Sequence, residues 1–222
     1  MRPAPGSTER VPSYRYGAVF LCAATALVFL VVAPATDWAR AVALALEGLA
    51  LFIAVATAAT RTPVRRRQAA LIAVSAVLLV AGVAAGVVPP AAATALSALA
   101  GTCASLALVG GLIRLVRQHG VTLQAVAGAL AIYLQLGLIF AWLIGFIAHV
   151  SSAPYFAQGG DGTQADRVYF SFTVMTTTGF GDLTAAQPVG RGLAVVEMLG
   201  GQLYLVTVIG VLVGGLVGRR RS

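Results

Sequence analysis

The chain has 222 residues, of which 59% are hydrophobic and only 10% charged, a balance that excludes an ordinary soluble domain and marks an integral membrane protein. Its net charge of +8 comes from 15 basic against 7 acidic residues, and every basic residue is arginine. Most of these arginines flank apolar runs, so they report membrane topology and speak against a nucleic-acid partner.

Residues 1–15 are polar, contain prolines and carry Arg2, Arg10 and Arg15, which reads as a poorly ordered cytoplasmic tail. The next run is apolar, long for a cleaved signal sequence, and reads as a retained first span, about Tyr16 to Ala33, closed by Pro34. Asp37 and Trp38 form a tight turn, and tryptophan suits a membrane interface. A second span, about Ala39 to Thr60, runs into RTPVRRR, whose Arg61, Arg65, Arg66 and Arg67 are the densest charge in the chain. The third span, about Gln68 to Val88, is stopped by Pro89-Pro90, a connection short enough for a hairpin. The fourth, about Ala91 to Ile113, leads to an inner loop with Arg114, Arg117 and His119. The fifth covers about Val121 to His149. A polar, Gly-rich outer loop, SSAPYFAQGGDGTQA, comes next. The amphipathic segment from Asp166 to Thr176 is too short to cross about 30 Å of hydrocarbon at about 1.5 Å per residue, so it is expected to enter and stop part-way. The last span, about Gly190 to Gly218, ends in RRRS.

With both termini inside, the inner side holds three arginines in the N-terminal tail, four after span two, two after span four and three at the C-terminus. Arg40, Arg167 and Arg191 are left outside. Six spans therefore satisfy the positive-inside rule. Cys22 and Cys103 lie in separate apolar runs, where neither a metal cluster nor a disulfide framework is expected, and read as packing residues.

Between the short segment and the last span lies TTTGFGD, Thr176 to Asp182. A dehydrated monovalent cation needs a cage of oxygens at fixed spacing, which consecutive backbone carbonyls turned to one axis supply. Gly179 and Gly181 alternate with Thr178 and Phe180, and glycine freely takes the left-handed dihedrals that such a turn requires. Thr177 adds a hydroxyl oxygen. An exposed Thr/Gly-rich loop is the competing reading.

These residues resemble the potassium-channel signature, commonly TVGYG followed by Asp. The likeness extends from Asp166 to Gly218, in the order pore helix, filter, short loop with Pro188, then Gly190-Arg191 opening the inner helix. The resemblance implies an all-α membrane protein of six transmembrane helices, with a re-entrant pore helix and selectivity filter between helices 5 and 6. It divides the chain into a tail (1–15), a four-span membrane domain (16–120) and a pore domain (121–222). It also implies passive K+ conduction by a homotetramer, because a single filter per chain must line an axis with its copies. Membrane lipids are the other expected neighbour, and no cofactor is expected beyond K+ as permeant ion. The expected location is the plasma membrane, and the exclusive use of arginine with abundant alanine is associated with bacterial genomes.

By the same resemblance, Thr177, Thr178, Gly179 and Phe180 would coordinate K+ through carbonyls, Gly181 would shape the outer end, and Asp182 would anchor the filter from behind. The chain departs from the family pattern at Thr178, at Phe180 and at Thr173, where some members carry a pore-helix acid. Glu197, about two turns into the last span, needs a partner or a proton. It either braces the filter through Thr173 or Thr178, or pairs with Arg191 or a pore-helix hydroxyl for structure alone. Gln202, Leu205, Ile209 and Val213 recur at helical spacing on one face, expected to be the cavity side, with Gln202 just below the filter and Ile209 and Val213 narrowing the inner mouth to a hydrophobic gate. Gly200 and Gly201 read either as a gating hinge or as close packing of membrane helices on small residues.

Span four contains no arginine ladder, so weak or no voltage gating is expected. Glu47, in span two, has the hydroxyls of Thr94 or Ser97 as candidate partners. His119 and His149 carry no assigned role. The competing functions are a poorly selective monovalent cation channel, a subunit of a potassium-uptake transporter, whose chains carry four pore loops, and a membrane enzyme, for which there is no cluster of acids or histidines.

Overall fold

The computed structural model describes residues 16–32 and 89–219, with the isolated helical positions 42, 46, 49, 53 and 82. The expected N-terminal tail, spans two and three, the RTPVRRR loop and Glu47 lie outside the described residues. Within them the regular structure is helical: α1 (Tyr16–Val32), α2 (Pro90–His119), α3 (Leu123–Val150), α4 (Gln164–Met175), α5 (Pro188–Leu203), a π-helical segment (Tyr204–Ile209) and α6 (Gly210–Arg219). Among the described residues three helices are long and apolar enough to cross a membrane: Thr94–His119, Leu123–Val150 and the continuous run Pro188–Gly218. At 17 residues α1 reaches about 25 Å.

The element ends follow local chemistry. Pro90 opens α2 at its first position, where the missing N–H costs nothing. The helix runs past Ile113, through the two arginines expected in a loop, because arginine is a good helix former. It stops at Gly120, whose φ of 68° lets its N–H close on the Val116 carbonyl. Thr122 then caps α3 by accepting from the Ala125 N–H at 3.2 Å. Thr163 and Asp166 form a reciprocal capping box on α4, which satisfies two otherwise orphaned N–H groups and starts the helix two residues earlier than expected.

α3 is the post around which the other elements pack. Tyr16 and Val19 of α1 and Leu108, Leu112 and Leu115 of α2 meet Ala125, Ala129 and Ile132 of α3 in one apolar cluster, joined by Leu212 of α6. Leu30 of α1 reaches Leu138 and Ala141 of α3 and Val168 of α4, so the first helix covers the α3–α4 seam. At the other end Ile144 and Ala148 pack with Tyr155, Phe156 and Phe170, the three rings making edge-to-face pairs 5.0–6.2 Å apart. The seam is tight where α3 has no side chain: a Cβ at Gly137 would lie 2.6 Å from Cζ of Phe172. Small residues of this kind let membrane helices approach without help from water.

Candidate functional site

The last carbonyls of a helix have no partner within it. In α4 they are taken by the stretch immediately after it. Phe172 O accepts from the Thr176 N–H at 3.0 Å, Val174 O from Thr177 N–H at 2.9 Å, and Thr173 O from both Thr178 and Gly179 N–H at 2.9 and 3.1 Å. The Thr176–Asp182 stretch thus hangs from the end of α4. Thr173 takes part through its carbonyl, while its hydroxyl donates to Phe170 O.

Along the stretch, φ is positive at alternate residues: 58° at Thr177, 52° at Gly179 and 83° at Gly181. Alternation of left- and right-handed residues turns successive carbonyls to the same side of the strand, which an all-right-handed or extended run does not do. The two glycines adopt it freely. Thr177 is branched at Cβ, and its left-handed conformation costs about 1–3 kcal/mol. That cost is offset by its N–H bond to Val174 and by its hydroxyl, which donates to Thr176 O at 2.7 Å and accepts from Gln202 Nε2 at 3.1 Å.

The Thr178 hydroxyl also finds a partner. It lies 2.8 Å from Oγ1 of Thr176, and Thr176 spends its own proton on Phe172 O at 2.6 Å, so Thr178 is the donor. At the outer end the Tyr169 hydroxyl donates to Asp182 Oδ2 at 2.8 Å, and its ring stacks on Phe180 with centroids 6.2 Å apart and planes within 4°. That hydrogen bond, before any other influence, holds the Tyr169 phenol above its ordinary 10.0. Phe180 itself is 69% exposed. Beyond Asp182 the chain is clamped to the outer loop by a single antiparallel bridge, Phe156 to Ala185. Its flanks are Ala157 N–H to Thr184 O at 2.9 Å and Ala186 N–H to Tyr155 O at 2.8 Å.

Glu197 is fully buried, and it bonds neither Thr173, Thr178 nor Arg191. The Arg191 Nε donates to Ala185 O at 3.1 Å instead. The partner of Glu197 is the hydroxyl of Ser171 on α4, and Ser171 also faces Gly137 O of α3 at 2.7 Å. A hydroxyl has one proton and a carbonyl none. Ser171 faces two acceptors, so its single proton is shared between the Glu197 carboxyl and Gly137 O. This three-way contact ties α3, α4 and α5 directly behind the stretch.

On the last helix, the Gln202 carboxamide reaches Thr177 of the stretch. Gly201 sits against the end of α4, where a Cβ would lie 2.5 Å from both Cγ and O of Met175; a Cβ at Gly200 would meet none of the described residues within 4 Å. The expected stripe of Gln202, Leu205, Ile209 and Val213 does not stay on one open face. The π-helical segment Tyr204–Ile209 inserts one residue per turn relative to an α-helix, which rotates the helix beyond it. Ile209 packs on the cluster of α1, α2 and α3, whereas Val213 remains exposed. Tyr204, at the start of the segment, stacks on Tyr133 and donates to Ala129 O at 2.7 Å. At the end of α3, His149 Nδ1 lies 2.6 Å from Gly145 O of its own helix, a structural contact outside the stretch. Thr94, a candidate partner for Glu47, donates to Ala91 O.

Ser171 and Met175, separated from Glu197 and Gly201 by 26 residues each, gave no local signal of these contacts. Only the Thr163-x-x-Asp166 spacing was readable as a cap. No curated protein and no solved structure matches the chain. Residues 129–216, which contain the whole arrangement from early α3 into α6, match the family model described as an ion channel, so this part of the chain is similar to an ion-channel domain.

Proposed function

We propose that the chain is a potassium-selective channel that conducts K+ passively through the axis of a homotetramer in the plasma membrane. The observation that carries the reading is the alternation of positive φ at Thr177, Gly179 and Gly181, which supports a ladder of carbonyls facing one side. In this reading the carbonyls of Thr177, Thr178, Gly179 and Phe180 and the hydroxyl of Thr177 bind the ion, with Gly181 shaping the outer end. α4 is the re-entrant pore helix, residues 121–222 form the pore domain, and 16–120 surround it as a four-span unit with both termini inside.

Asp182, Thr173 and Glu197 support the filter. Asp182 does so through Tyr169, Thr173 through its carbonyl, and Glu197 through Ser171. Gly201 against Met175 makes a fulcrum, and the π-helical segment just beyond Gly200 supports bending there, since such segments are weaker than α-helix and recur at functional sites. Leu205 and Val213 narrow the inner mouth.

The second reading is a poorly selective monovalent cation channel. It is favoured by Phe180, which has an exposed ring and no hydroxyl to tie it to α4. The reversal potential of purified, reconstituted protein under a K+/Na+ gradient decides between them. A value near the potassium equilibrium potential, with block by external Ba2+, is expected. A value near zero with retained current would establish the non-selective pore, and absence of current would overturn both.

A further inference from the structure

We propose that Gln202 is a positioning residue that sets the cation affinity of the innermost filter site, by occupying one lone pair of the Thr177 hydroxyl; the inference rests on the channel reading above. Thr177 Oγ1 has one proton and two lone pairs. The proton goes to Thr176 O at 2.7 Å. The group 3.1 Å away on Gln202 must therefore be a donor. This fixes the orientation of the carboxamide: its NH2 faces Thr177 and its oxygen faces away.

The Thr177 hydroxyl then cannot rotate, because both of its neighbours are committed, and one lone pair is left for an ion. An oxygen that already accepts an N–H bond also holds a cation less tightly, since the amide hydrogen opposes the cation's charge. Gln202 thus lowers the depth of the innermost site, which favours release of the ion over trapping it. Conduction needs that balance, because binding must be weak enough for the ion to leave. The residue sits on α5 just before the π-helical segment, beside Gly201, whose close packing on Met175 holds this part of the helix against the stretch.

The test is the half-blocking concentration of Ba2+ in planar bilayers containing the full chain, with Ba2+ added to each chamber in turn. Ba2+ is a divalent cation close to K+ in size and dwells longest at the deepest site. Gln202→Met keeps volume and flexibility but has no donor. Its expected effect is block from the C-terminal side at about tenfold lower concentration, the scale of one hydrogen bond near a charge. In a Thr177→Ala background, Gln202→Met is expected to change block by less than about twofold, because the oxygen through which it acts is gone. Where Thr177→Ala carries no current, Ba2+-dependent thermal stabilisation of the purified protein gives the same comparison.

Wild type that conducts K+, combined with Gln202→Met that blocks within twofold of it, overturns this inference and leaves the channel reading intact. An effect of equal size in both backgrounds also overturns it, because Gln202 would then act elsewhere. Wild type that conducts no K+ overturns both.

Discussion

α3 and the last helix are similar in length and apolar character, yet 56% of the most apolar stretch of Leu123–Val150 is buried within the chain, against 11% for Pro188–Gly218. α3 is enclosed by α1, α2 and α4. The last helix is buried at Gly190, Glu197, Gly201 and Leu212, packs Tyr204 and Ile209 on its own chain, and leaves Val195, Val196, Leu199, Leu203, Val206 and Val211 exposed. Apolar surface on this scale needs a partner outside the chain, either lipid or other copies. Its own chain therefore holds the helix along a narrow line of contacts and leaves the valines and leucines on its other faces uncovered.

The comparison breaks most severely at Gly201. Gly201→Leu forces a side chain into Met175, and should cost about 3 kcal/mol or more, with loss of current; thermal unfolding and bilayer recordings check both. A tolerated leucine would mean that α5 is not pinned to α4.

Glu197→Ala comes next. It removes the carboxyl from the three-way contact and leaves a void, for an expected loss of about 2–3 kcal/mol. Glu197→Gln can still donate to Ser171 and should lose about 1 kcal/mol or less. Equal losses for the two would mean that the contact with Ser171 adds no stability.

At Tyr169→Phe the stacked ring remains and only the bond to Asp182 is lost, so the expected change is a reduced K+ over Na+ permeability ratio in a stable protein. The pH dependence comes from the same bond. The protonated phenol is the donor and is favoured in the folded state, so the tie is intact below the ordinary value of 10.0 and is lost as pH rises through the raised one. Selectivity of wild type should be flat from about pH 7 to 9 and fall at more alkaline pH. Tyr169→Phe should lack that alkaline step.

The smallest effect is expected at Gly200→Ala, within about 0.5 kcal/mol, because no described residue lies within 4 Å of the added carbon. A large loss there, in protein solubilised as an oligomer, would locate another copy against this face.

Much of the site was legible before folding. The positions of α4 and the last helix follow from length against bilayer thickness and from the apolar periodicity around Asp166 and Gly190. The left-handed turns at Gly179 and Gly181 follow from glycine's missing Cβ. The left-handed turn at Thr177 was not legible, because it opposes the preference of a branched residue and exists only where Val174, Thr176 and Gln202 all bond it. Likewise the face of the last helix beyond Tyr204 could not be projected from α-helical spacing, since a π-helical turn leaves no periodic mark in an apolar run.

The sequence by itself determined the class of the protein, the order of its C-terminal elements and the stretch on which the channel reading rests. These depend on composition, local backbone preference and spacing along one segment. Only the tertiary structure decided that Glu197 answers to Ser171, that Gly201 makes room for Met175 and that Gln202 faces Thr177. Each of those pairs joins residues 25 or 26 positions apart, and what sets them is the close approach of α5 to the end of α4, a packing distance that no local pattern encodes.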